Sequence, residues 1–159
     1  MDHKGLTGTA DGRQMLINTP CVVKNLCKLL NDYQKSVAKD ASLALINLSA
    51  DEDLTSTLVT EGTEIIENML NIITNPEHEL ADPACMVLSN LSRTKLGSER
   101  LFQTMGEKLE KYIDIFCQEK YNQKGARLHY LAAVFSNLSQ IPAVRRYSNQ
   151  SILNRIFFF

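Results

Sequence analysis

Asp40-Ala41-Ser42-Leu43-Ala44-Leu45-Ile46-Asn47-Leu48-Ser49 is the first of three renderings of one phrase. The second is Asp82-Pro83-Ala84-Cys85-Met86-Val87-Leu88-Ser89-Asn90-Leu91-Ser92, and the third runs from Leu128 to Asn137-Leu138-Ser139. Counted from the asparagine, position −3 is Ala44, Val87 and Val134, −2 is Leu45, Leu88 and Phe135, and +1 is always Leu. Apolar residues at −6, −3, −2 and +1 make one broad stripe of a helix with a period near 3.6. The asparagines stand 43 and 47 residues apart. That spacing matches stacked helical repeats of about 40–47 residues, two or three helices each. The phrase therefore predicts an all-α solenoid of about three stacked repeats, truncated at both ends.

Outward from the phrases, each unit shows the same order. Leu6-Thr7-Gly8-Thr9-Ala10-Asp11 overlays Leu48-Ser49-Ala50-Asp51-Glu52-Asp53, so the chain opens on a repeat remnant over 1–17, residues 1–5 being a helix stump. Gly12 to Ile17 fills the short linking-helix slot. The first repeat, about 18–50, has Pro20 in a first turn, a stripe of Val22, Val23, Leu26, Leu29 and Leu30, and a phrase helix from about Ser36 to Ala50. The second, 51–93, pairs a short helix Leu54–Glu61, stopped at Gly62, with the stripe Ile65, Ile66, Met69, Leu70, Ile72 and Ile73. Asn75-Pro76 breaks that helix, and the phrase helix Ala81–Arg93 follows. The third, 94–139, runs from Ser98–Met105, ended by Gly106, through Leu109, Tyr112, Ile113, Ile115 and Phe116 to the helix Ala126–Ser139. A polar loop over Gln118–Gly125 accounts for its longer spacing. An incomplete repeat spans 140–159, and residues 1–159 read as one domain.

Composition narrows the function classes. The chain has 159 residues, 44 % of them hydrophobic, with net charge −1 and a pI near 6.3. Such a chain has no basic field to attract a phosphate backbone, so nucleic acid is not an expected partner. Cys21, Cys27, Cys85 and Cys117 form no CxxC pair and no metal-ligand spacing, and they read as reduced, buried thiols. No run of about 18–20 apolar residues spans a membrane, and the N-terminus lacks the apolar core of a signal peptide. A cytoplasmic location is expected, with no membrane partner.

Catalytic signatures are missing. The sequence contains no GxSxG, GxxxxGK[ST], HExxH or GxGxxG, and its histidines, His3, His78 and His129, are scattered. Neither enzyme activity, cofactor nor metal is expected. Each phrase is formally an N-x-[ST] sequon, but a packed helix in a chain without a signal peptide is not offered for glycosylation.

The repeated asparagine is the candidate binding feature. Stacking sets Asn47, Asn90 and Asn137 in a ladder, and an amide offers both the donor and the acceptor that an extended backbone requires. Equally, each asparagine can pin the neighbouring inter-helix turn or cap a helix end. The two roles are compatible. Arg93 and His129 join the asparagines as candidates on the concave face. Charge does not follow the ladder, since position +3 is Ala50, Arg93 and Gln140.

The pattern A-x-x-A-L-x-N-L-S, followed by a short helix and Gly, resembles the armadillo repeat, whose third helix lines a concave groove. Nuclear-import receptors of that superfamily carry a Trp four residues before the Asn; here Leu43, Met86 and Ala133 stand there, and the chain has no Trp. Leu128-His129-Tyr130-Leu131, Phe135-Ser136-Asn137-Leu138-Ser139-Gln140 and Pro142-Ala143 are similar to the signature of the Hgh-one (brain protein sixteen) family. Leu6-Thr7-Gly8 with Gly12-Arg13, and Ala84 through Arg93, fit its N-terminal half. The resemblance implies a non-catalytic chaperone adaptor that recruits the chaperonin TRiC (CCT), with prefoldin, to translation elongation factor 2. It also implies that further C-terminal repeats are absent here. A regulator of a GTPase and an inactive truncated product are the alternatives. A monomer is expected, with self-association possible through the apolar end Ile152, Leu153, Ile156 and Phe157–Phe159.

Overall fold

The computed structural model describes residues 5–19, 21–61, 63–75, 77–122 and 127–148, and no strand occurs among them. After a 3-10 turn, Leu6–Gly8, the first unit holds α1 (Ala10–Ile17), α2 (Val22–Leu29) and α3 (Lys35–Ser49). The second holds α4 (Glu52–Glu61), α5 (Thr63–Ile73) and α6 (Ala81–Ser92). The third holds α7 (Lys95–Met105), α8 (Leu109–Cys117), the one-turn α9 (Glu119–Asn122) and α10 (Arg127–Leu138), and α11 (Pro142–Ser148) follows. The phrase helices stack α3 on α6 on α10, while α1, α4 and α7 stack beside them and α2 lies on α5. This is the all-α stacked-repeat fold that the phrase predicts.

The stripe works as its spacing requires. Leu45, Leu48, Val87, Leu88, Leu91, Val134 and Leu138 are all buried, and only Ala44 among the stripe positions is half-exposed. On α5 all six stripe residues are buried. The equivalent residues of the first unit are less covered: Val22 and Leu26 are half-buried, and Leu29 is 37 % exposed where Ile72 is 8 %. In the second unit, α2 supplies the cover for α5. Burial in this fold thus comes from the neighbouring unit, the defining energetics of a solenoid.

The joints between units are chemically specific. Thr9 and Thr94 cap α1 and α7, each accepting the N–H three residues on, from Gly12 and Gly97, at 3.1 Å. A Cβ on Gly12 would lie 2.0 Å from Leu6 O, and one on Gly97 would lie 1.9 Å from Leu91 O. Glycine is required at both by this close approach. The middle joint is built differently, with buried Leu54 at the glycine position and its N–H donating to Asp51 O at 3.2 Å.

Several details differ from the sequence expectation. Helices α4 and α7 start two and three residues earlier than Leu54 and Ser98. The segment Gln118–Gly125 is not all loop, because Glu119–Asn122 forms α9. Cys27 and Cys85 are buried, but Cys21 and Cys117 are exposed. Cys117 closes α8 just past the apolar stripe, and Cys21 sits in the turn before α2 with φ 66°. The helix stop at Gly106 holds, with φ 47°, a conformation that favours glycine. The expectations on residues 1–4, Pro20, Gly62, Pro76, Gly125 and the apolar end 151–159 lie outside the described residues.

Candidate functional site

The three asparagines occupy one register, and each reaches back to the unit before it. Asn47 Nδ2 donates to Thr7 Oγ1 at 3.0 Å. Asn90 Nδ2 donates to Ser49 Oγ at 3.2 Å and to Ile46 O at 3.4 Å. Asn137 Nδ2 donates to Ser92 Oγ at 3.0 Å. The acceptors are equivalent as well, because Thr7, Ser49 and Ser92 all follow the repeat's leucine. Each serine hydroxyl also donates to the carbonyl three residues back, Ser49 to Ile46 O at 3.0 Å and Ser92 to Ser89 O at 2.8 Å. Ser49 and Ser92 are each 1 % exposed. The phrase therefore couples units in both directions, with the asparagine joining the preceding unit and the hydroxyl the following one.

That coupling leaves the amides partly available. All three asparagines are half-buried, and no described residue donates to their Oδ1 atoms. Each keeps an acceptor, and Asn47 and Asn137, whose Nδ2 meets a single acceptor, also keep a second N–H, the pair that an extended backbone presents in complement. Arg93 and Asn137 come together, lining one cleft of about 420 Å³ between the third unit and α11. Arg93 is held there by Glu52 at 2.6 Å. His129 stands apart, exposed on the first turn of α10 with its ring edge-on to Tyr130, centroids 6.2 Å apart.

Sequence reasoning missed the serine half of the ladder, although the +2 hydroxyl recurs as regularly as the asparagine. It also missed the ion pairs between units. Arg13 pairs with Asp51 at 3.1 Å, and Arg127, almost wholly buried, pairs with Asp82 at 2.8 Å and donates to Tyr121 O at 2.8 Å. These pairs fall at different positions in different units, so no periodicity announces them.

Cys27 and Cys85 are set against nucleophilic use. Burial pushes the Cys27 thiol up to about 11, and Cys85, deeper still, up to about 12. Both remain thiols at neutral pH, and the thiolate is the reactive form. Among the described residues no group of His, Cys, Asp or Glu could hold a metal ion. Among the described residues no helix is long and apolar enough to cross a membrane.

The comparisons agree with the segments that carry the resemblance. Residues 72–156, more than half of the chain, match a domain of unknown function, DUF383. The "Protein HGH1 homolog" of Danio rerio is 39 % identical over 161 residues, covering 98 % of this chain and 42 % of the relative. The chain belongs to the HGH1 family. The Drosophila melanogaster HGH1 homologue is 35 % identical over 150 residues, with 89 % of this chain and 41 % of the relative covered. The Homo sapiens homologue is 32 % identical over 148 residues, with 89 % and 37 % covered. The chain thus spans about two fifths of the length of the HGH1 relatives it matches. No solved structure matches it.

Proposed function

We propose that this HGH1-family chain is a non-catalytic, cytoplasmic protein-binding scaffold, an adaptor that brings translation elongation factor 2 to the TRiC/CCT chaperonin together with prefoldin. The observation that carries the binding reading is the asparagine ladder. Three amides in one register join the units through Nδ2 and retain their Oδ1 acceptors, and those of Asn47 and Asn137 retain a second donor as well. A stacked-repeat frame holds such groups at fixed intervals, so a partner segment meets them without an ordering cost on the scaffold side. Asn47, Asn90 and Asn137 would contact the client, Arg93 would contribute beside Asn137, and His129 would lie at the margin. The all-helical architecture and family membership support a non-enzymatic role.

Affinity purification of this chain beside an HGH1 homologue of full length tests the proposal. The expected outcome is recovery of elongation factor 2 with both. Chaperonin recovered only with the longer chain would place that contact beyond the segment described here. Failure to recover elongation factor 2 with either would refute the adaptor role. Accelerated nucleotide exchange on a GTPase, with no capture of a non-native client, would point to a regulator instead.

A further inference from the structure

The unit joints can be compared position by position, counting from the phrase asparagine. At the first joint Arg13 (+8, with Gly5 in the asparagine's place) pairs with Asp51 (+4 of the next phrase) at 3.1 Å. At the second joint Glu52 (+5) pairs with Arg93 (+3 of the next phrase) at 2.6 Å. At the third joint neither pair can form. Ser98 and Ile141 occupy the first pair's positions, and Lys95 and Gln140 occupy the second's. Lys95 thus stands where the previous unit carries a carboxylate, and faces an amide where that unit carries a guanidinium.

An open cleft lies at this joint. Its volume is about 420 Å³, and its lining includes Arg93, Lys95, Asn137, Gln140, Ile141 and Pro142. The Lys95 side chain is 89 % exposed, and its nearest carboxylate, Glu99 on the same helix, is 4.0 Å away. Asn137 contributes the Oδ1 and second N–H described above. Ile141 and Pro142 supply an apolar wall. The cleft therefore joins a solvent-exposed ammonium, held only by a long i,i+4 pair to Glu99 on the same wall, with amides that can donate and accept and a small apolar surface.

We propose that this cleft is a docking site for an acidic peptide segment of a protein partner. The partner's carboxylate would meet Lys95 and so stand in for the Glu52–Arg93 pair of the second joint, which has no counterpart at this position. Its backbone would pair with the Asn137 and Gln140 amides, and an adjacent apolar side chain would rest on Ile141 and Pro142. The inference deepens the scaffold reading and rests on it for the partner's being a protein.

The test uses the full chain and two fluorescein-labelled peptides, Glu-Leu-Glu-Leu-Glu-Gly and its glutamine counterpart, followed by anisotropy and by side-chain amide NMR. The acidic peptide is expected to bind and to shift the Asn137 and Gln140 amide resonances, while the glutamine peptide binds about tenfold more weakly. Lys95→Glu should weaken the acidic peptide by about tenfold or more, with Lys95→Gln between it and wild type. Both substitutions fall on an exposed side chain, and unchanged circular dichroism will confirm that they fold. Equal binding of the two peptides, absence of binding, an unaltered affinity in Lys95→Glu, or shifts confined to other residues would each overturn the assignment. Elongation factor capture by the wild-type chain is read separately. Capture without peptide binding removes the cleft and leaves the scaffold reading intact, and peptide binding without capture does the reverse.

Discussion

The bond between Asn90 and Ser49 offers a direct measure of how tightly one unit is held to the next. Replacing Asn90 with Ala removes a donor 3.2 Å from Ser49 Oγ and 3.4 Å from Ile46 O. A neutral hydrogen bond of this kind contributes about 0.5–1.5 kcal/mol net. The single substitution understates it, because alanine is a better helix former than asparagine by up to about 0.7 kcal/mol. Ser49→Ala carries its own side effects, since the hydroxyl also donates to Ile46 O at 3.0 Å. A double-mutant cycle cancels both complications, as each appears equally in the two arms that contain it. The coupling expected for Asn90→Ala with Ser49→Ala is therefore about 0.5–1.5 kcal/mol. Urea denaturation of the four proteins gives it, and about 1 kcal/mol corresponds to roughly 2–4 °C in Tm for a chain of this size. Additive effects, with coupling near zero, would show that the bond does not join the units. If Asn90→Ala also binds elongation factor 2 normally at low temperature, the asparagine serves the stack alone and the ladder is not a binding surface.

Other outcomes follow from the same geometry. Gly97→Ala should destabilise by about 1–3 kcal/mol, since the new Cβ meets Leu91 O at 1.9 Å and backbone must shift; thermal melting reads it. Leu88→Ala, at a fully buried stripe position, should cost about 2–5 kcal/mol and is checked by the same measurement. A thiol-specific reagent at pH 8 should modify Cys21 and Cys117 in the native protein, and Cys27 and Cys85 only after unfolding. The buried thiols also fix a pH trend. Their folded pKa values, about 11 and about 12, lie above the ordinary 9.0, so above pH 9 the unfolded chain loses protons that the native one keeps. Stability should fall through that window in a urea series, and Cys85→Ser should lessen the slope.

The fold was legible because its decisive signal is repetition. Asn47-Leu48-Ser49 and its two copies give the helix face, the register and the stacking interval from a few letters each, and the structure places Leu45, Leu88 and Phe135 in equivalent buried positions. The ladder itself was half legible. Both of its partners recur in the phrase, but only geometry shows that an asparagine meets a hydroxyl about 40 residues earlier and not one within its own helix. Charge was not legible at all. Arg13, Glu52 and Arg127 each pair across elements, yet their partners sit at unrelated offsets, and nothing in the sequence distinguishes them from solvated surface residues. The exposure of Cys117 was missed for a related reason. An apolar run predicts the buried face of α8, and Cys117 lies one residue past its last member, Phe116.

The longer third interval shows which parts of the unit are fixed. Asn137 follows Asn90 by four residues more than Asn90 follows Asn47, yet Asn137 still meets Ser92 at 3.0 Å, as Asn90 meets Ser49 at 3.2 Å. The added length must therefore lie away from the phrase-to-phrase contact, between α8 and α10, where α9 is found. Arg127 secures that insertion at the start of α10. Its guanidinium donates to Tyr121 O on α9 and to Asp82 of the preceding unit, so one buried cation ties the added turn to the stack. Removing Asp82 would withdraw a carboxylate from a guanidinium that is only 7 % exposed, while Asp82 itself is 37 % exposed. Asp82→Asn should therefore cost less than the about 3–5 kcal/mol typical when a fully buried pair is broken. The loss should be concentrated in α9 and α10. Hydrogen exchange would show it there, and equal loss of protection across α3 and α6 would refute the view that Arg127 serves the insertion.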